Sequence, residues 1–161
     1  MKPSIIRPDP AASFFTAERC RILELLNHAG EPGLSVARAS VAPGVTTQLH
    51  RLHGIVERYL IVEGCGRVGF GGPLEGEVGP GDLVLIPAGT PQQIRNVGET
   101  ELVFYCICTP RFRQERYERL GDWAGRAAQL ATRARAPRLS ASRSMASRFF
   151  WMLAHSASVW I

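Results

Sequence analysis

A chain of 161 residues, 45% of them hydrophobic, is long enough for one domain with a packed core and has the composition of a soluble globular protein. Its net charge of +5 lies entirely after residue 120, where six arginines face only Asp122, and the rest of the chain is electrically balanced. A neutral body gives no electrostatic case for nucleic-acid binding. The four cysteines form no Cys-x-x-Cys pair and no disulfide framework. The N-terminus shows no apolar signal-peptide core, and the apolar run 149–161 falls short of the roughly 20 residues a membrane span needs. The expectation is a cytoplasmic protein with reduced thiols.

Sixteen glycines and eleven prolines punctuate short apolar runs, which predicts an all-β fold. Residues 1–19 are proline-rich and read as an extended arm, a candidate for exchange with a partner subunit. Strands are expected over 21–27, 34–42, 46–52, 57–63, 67–70, 74–78, 82–86, 92–97 and 101–109, with Gly/Pro turns between them. Residues 112–120 have helical composition and are expected to form a short C-terminal helix ending at Gly121. From 121 to 161 alanine, arginine and serine dominate, strand alternation is lost, and an irregular tail is expected. The division is therefore an arm (1–19), a barrel with a short helix (20–120) and a basic tail (121–161). Strands of 4–9 residues at regular spacing indicate a sandwich or barrel rather than a parallel α/β sheet.

The chemistry concentrates in two blocks. The first is Gly44-x5-His50, followed by Glu57-x6-Gly64. The second is Gly81-x5-Pro87-x-Gly89-x2-Gln92-x3-Asn96. These resemble the two signature motifs of the cupin superfamily, over about residues 30–110. The resemblance implies a single double-stranded β-helix (jelly-roll) barrel, commonly paired as a homodimer. It also implies a divalent metal (Fe, Mn, Ni or Zn) held by two histidines and a glutamate of the first motif and one histidine of the second.

Carried over position by position, His50 and Glu57 match their ligand places, Leu52 stands where the second histidine belongs, and Gln92 stands where the last one belongs. His53 also keeps a family spacing to Glu57. On a regular strand, however, it points away from the face shared by His50 and Leu52, and only a bend beside Gly54 would bring it inward. The candidate metal ligands are thus His50, Glu57, Gln92 and His53. Glu57 and Tyr59 share one strand face and are the candidate catalytic residues. Cys106 and Cys108 read as small core residues, and Arg95 as a solvated surface arginine.

Two functions follow. One is a metal-dependent dioxygenase or sugar-type isomerase. The other is a metal-free, non-enzymatic barrel in which His50, Glu57 and Gln92 form a hydrogen-bonded polar cluster beside a small organic ligand.

Overall fold

The structure, a computed structural model, describes residues 3–121; the expected tail lies outside the described residues. Eleven strands run in chain order: β1 Phe14–Phe15, β2 Arg21–Leu26, β3 Ser35–Val41, β4 His50–Leu52, β5 Val56–Glu63, β6 Gly66–Gly69, β7 Gly76–Val78, β8 Leu83–Ile86, β9 Gln93–Asn96, β10 Leu102–Thr109 and β11 Tyr117–Arg119.

One antiparallel sheet has the order β1-β2-β3-β10-β5-β8. Facing it, β7-β6-β9 is joined to the stretch leading into β4 by bridges from Thr46 to Arg95 and from His50 to Gln92, and β4 pairs in turn with β11. The result is the jelly-roll barrel that the motifs imply. Its parallel-sheet alternative fails for the expected reason: no long helix separates the strands.

Strand alternation sets the inside of the barrel. In β5, Glu57, Tyr59 and Ile61 are buried while Leu60 and Val62 face out; in β8, Val84 and Ile86 are buried while Leu83 and Leu85 face out. The main core joins Ala39 and Val41 of β3, Tyr59 and Ile61, Val84 and Ile86, Val68, Ile94, and Leu102 and Phe104 of β10. A second cluster, Leu52, Ile55 and Cys108 with Phe112 and Tyr117 packed on it, closes one end of the barrel. The expectation that β10 is apolar on both faces holds at Leu102, Val103 and Phe104, all buried.

The expected helix over 112–120 is corrected. The segment forms one 3₁₀ turn, Gln114–Arg116, and then strand β11. Tyr117, Glu118 and Arg119 pair with Leu52, Arg51 and His50, and Glu118 takes both Nε and Nη2 of Arg51 at 2.8 Å. Partners more than sixty residues away therefore outweigh local helical propensity. The arm also contributes more than expected, because β1 pairs with β2 of its own chain.

Gly64 shows why the first motif needs its last glycine. It ends β5 at φ +81°, where a Cβ would lie 2.6 Å from the Glu101 carbonyl oxygen and 2.9 Å from Leu102 Cα. Both the left-handed backbone and the close approach exclude a side chain.

Candidate functional site

The barrel holds a cavity of about 670 Å³, in the size range of small-molecule sites. His50, Glu57, Tyr59, Leu52, Cys106 and Cys108 line it, together with Glu18, Cys20 and Tyr117. The strand geometry explains the convergence. Backbone bonds in both directions tie His50 to Gln92, at 3.1 and 2.8 Å. In the ladder between β5 and β10, Glu57 pairs with Cys108 and Tyr59 with Cys106.

His50, Glu57 and Gln92 are all buried. Gln92 Nε2 donates to Glu57 Oε2 at 2.6 Å, and the Cys108 thiol faces Glu57 Oε1 at 3.7 Å. Burial raises the Glu57 pKa above the ordinary value near 4.5, and neighbouring His50 and the Gln92 hydrogen bond offset this only in part. The carboxyl is thereby held toward its protonated form. Burial likewise raises Tyr59 well above its ordinary range and lifts the Cys20 thiol to about 11, so both stay neutral near pH 7. Tyr59 packs its ring on Phe104, with centroids 4.6 Å apart.

His50 Nδ1 lies 2.9 Å from the Gln48 carbonyl oxygen. A carbonyl only accepts, so in this bond Nδ1 carries the hydrogen and the neutral ring has a bare Nε2. Glu18 Oε2 stands 3.7 Å from the same Nδ1, and Tyr117 stacks on the ring at 5.1 Å. Sequence reasoning missed Glu18 and Tyr117. They come from the arm and from β11, and only the alternation of Tyr117 with Arg119 hinted at a strand there.

His53 is not brought to this group. Its Nε2 binds Glu118 at 2.6 Å on the outside of the barrel, with half of the side chain exposed. Gly54 does bend the chain, at φ +66°, but the bend does not turn His53 inward. Cys106 and Cys108 pack in the core as read, Cys108 in the end cluster and Cys106 against the main one, and both also line the cavity.

The donors present do not fit the metal that the fold family implies. Leu52 offers no donor and is buried in the end cluster. Gln92 donates an N–H to the Glu57 carboxyl, and its buried, unpartnered Oε1 is a neutral carbonyl oxygen, a weaker donor than the imidazole that the family places there. Among the described residues no three His, Cys, Asp or Glu side chains stand close enough to hold a metal ion. Restoring both imidazoles with Leu52→His and Gln92→His is expected to raise bound nickel from well below stoichiometric to near one ion per chain after soaking. Elemental analysis of the folded double variant checks this, and unchanged nickel content would refute it.

Comparison with known proteins agrees with this architecture. A family model described as "Cupin domain" matches residues 37–108. An uncharacterised protein of Methanocaldococcus jannaschii is 33% identical over 109 residues, which span 66% of this chain and 86% of that protein. A germin-like protein of Arabidopsis thaliana is 37% identical over 73 residues, but the chain spans only 32% of its length. Among solved structures, Pac13 of Streptomyces, a nucleoside dehydratase, superposes with a TM-score of 0.61 at 16% identity, covering 75% of this chain and 97% of that one. A predicted oxalate decarboxylase of Thermotoga maritima superposes at 0.59 with 22% identity, covering 66% and 99%. These two likenesses speak for the fold alone. With the family model matched across β3 to β10 and a relative covered over most of its length, the chain belongs to the cupin family.

Proposed function

We propose that the barrel is an enzyme of the isomerase or dehydratase type that moves protons on a small organic substrate by acid–base catalysis between His50 and Glu57. The observation that carries this reading is the placing of a histidine whose Nδ1 is turned to the Gln48 carbonyl, leaving Nε2 bare, and a buried carboxyl whose pKa burial raises, in the lining of one cavity. Environments that push two neighbouring groups into opposite proton roles are what acid–base chemistry near neutral pH requires. His50 Nε2 takes a proton from the carbon beside a carbonyl, and Glu57 gives its proton to the carbonyl oxygen. In an α-hydroxy carbonyl, His50 returning its proton to the former carbonyl carbon while Glu57 takes one from the neighbouring hydroxyl isomerises the substrate; where a hydroxyl leaves from the carbon beyond, His50 gives it the proton and Glu57 recovers its own from the enol, so that water is eliminated instead. Tyr59 lines the same cavity as a neutral hydroxyl. The dioxygenase expectation is dropped from the proposal, because oxygenases of the non-haem iron type use two imidazoles and a carboxylate, and His50 is the one cavity imidazole among the described residues.

The non-enzymatic alternative, a carrier or sensor, is favoured by the apolar share of the wall, which includes Ile22, Val36, Ile94 and Phe104. Incubation with small α-hydroxy ketones and aldoses in D₂O, followed by NMR, separates the two. Deuterium incorporation that falls about 100-fold in both His50→Ala and Glu57→Gln supports the enzyme, a loss typical of removing a general acid or base. Ligand binding without exchange supports the carrier, and exchange unaffected by either variant would sink the acid–base pair.

The homodimer belongs to this proposal too. Its support is an apolar outer face on β5 and β8, where Leu60, Val62, Leu83 and Leu85 are exposed. No described helix is long and apolar enough to cross a membrane. A cytoplasmic setting is proposed on the free state of all four cysteines.

A further inference from the structure

We propose that Ala37 and Cys106 are the specificity-determining residues of this cavity, and that the occupant they admit is an aromatic ring bearing an α-hydroxy carbonyl group. The reacting group rests on the acid–base reading of His50 and Glu57; the ring that carries it is what the floor of the cavity adds.

Ala37 of β3 and Cys106 of β10 are direct cross-strand partners on the two central strands of the six-stranded sheet. Alternation places both on its inner face: Ala39 and Val41 share the side of Ala37, Phe104 and Cys108 that of Cys106, and all four are buried. On the core face of an antiparallel sheet such positions are normally packed. Ala37 and Cys106 instead line the cavity and are only partly covered. The cavity thus rests on a floor two strands wide, about 5 Å from strand to strand. Tyr59 of β5 and Glu24 of β2 stand on the same row, one to each side of the pair.

A methyl and a thiol leave this floor level and apolar, so a flat apolar face lies on it without a clash. Tyr59 and Phe104 stand beside it as a tilted aromatic pair, with centroids 4.6 Å apart. An aromatic ring seated here meets a polarisable sulfur below and two aromatic rings at its side, contacts that a saturated chain does not make. The volume, about 670 Å³, is also several times that of a three-carbon hydroxy ketone. Small side chains alone would not mark a site. The second mark is His50, 4% exposed and lining the same cavity with its Nε2 bare, which calls for a donor on the occupant. Glu57 lies one row along from Tyr59, opposite Cys108, and so about 7 Å from the row of Cys106. A short hydroxy carbonyl arm on the ring spans that distance.

Calorimetric titration of the full chain with α-hydroxyacetophenone, its cyclohexyl counterpart and hydroxyacetone tests this directly. The aryl compound is expected to bind about tenfold or more tighter than hydroxyacetone, the value of burying one ring. It should also exceed the cyclohexyl compound by about threefold, the value of the aromatic contacts. Ala37→Leu, which fills the floor, should cost the aryl compound that tenfold and leave hydroxyacetone unchanged. Cys106→Leu fills it from the other strand and should do the same. Arg38→Gln, on the opposite face of β3, should match the parent. Thermal melting confirms that each variant is folded. No binding of the aryl compound, equal affinity for the aryl and either other compound, unchanged aryl affinity in both filled variants, or equal loss in Arg38→Gln each overturn the proposal. Binding rather than turnover is read, so the two readings fail separately. An aryl compound that binds by these rules without deuterium exchange keeps the floor's role and removes the acid–base pair, whereas exchange on hydroxyacetone with no preference for the ring does the reverse.

Discussion

Replacing Asn96 by alanine is expected to remove about 2–4 kcal/mol of folding stability, a large part of what a domain of this size has. Asn96 is fully buried at the end of β9. Its amide donates to the carbonyls of Val41 at 2.8 Å and Thr100 at 2.7 Å, and its Oδ1 accepts from the Gly98 N–H at 2.9 Å. One side chain thereby ties the end of β3 in one sheet to the turn that leads out of the other. Alanine strands the buried Val41 carbonyl, at a cost of about 1–3 kcal/mol, and leaves the part-buried Thr100 carbonyl and Gly98 N–H to water. Urea unfolding checks the number. A loss below about 1 kcal/mol would mean that the three groups find other partners and that Asn96 is not the tie described.

Glu57→Gln is expected to stabilise the protein, and to do so only as the pH rises. The Glu57 carboxyl is raised by burial, so the folded state binds a proton more tightly than the unfolded chain. Such a group contributes stability that is fully present below its ordinary value near 4.5 and is lost as the pH climbs through its folded value. The glutamine amide carbonyl can keep the bond from Gln92 Nε2 and never ionises. The variant should therefore match the parent near pH 4 and exceed it at pH 8 by about 1–3 kcal/mol, the size of an imperfectly compensated buried polar group. Urea midpoints from pH 4 to 9 give the comparison. A difference that stays flat across this range, or that grows toward acid, would show that Glu57 is not held protonated. The same substitution abolishes the proton donor proposed for catalysis, so stability and activity should move in opposite directions.

Much of the barrel is legible in the sequence because its information is local. The Gly/Pro turns bound strands within a residue or two of where β2 through β10 lie, except that β4 starts four residues later than expected, and the alternation in β5 tells which of its side chains point inward. The spacing of Gly44, His50, Glu57, Gly64, Gly81, Gln92 and Asn96 identifies the family and also brings His50, Glu57 and Gln92 together. What the sequence hides is what depends on distant pairing. Residues 112–120 look helical until β4 offers Arg51 and His50 as partners for Glu118 and Arg119. His53 looks like a spare ligand until Glu118 holds it outside. Glu18 and Cys20 sit in an arm whose prolines announce only an extended chain, and the closure of that arm over the cavity depends on contacts such as the Gln48 N–H bond to the Glu18 carbonyl, 3.1 Å long.

The flanking of His50 by Glu18 on one side and Tyr117 on the other has a temporal meaning. These two residues lie near opposite ends of the described chain, so the His50 imidazole receives its surroundings in two instalments separated by almost the whole of the barrel's synthesis. Chains emerge from the ribosome N-terminal end first, at roughly 5–20 residues per second, and sequence-distant contacts are the slowest to form. The nascent barrel will thus expose an open, partly apolar funnel until β11 arrives to seal it. A nascent chain halted just short of Tyr117 would hold the fold's motifs without the ring that stacks on His50.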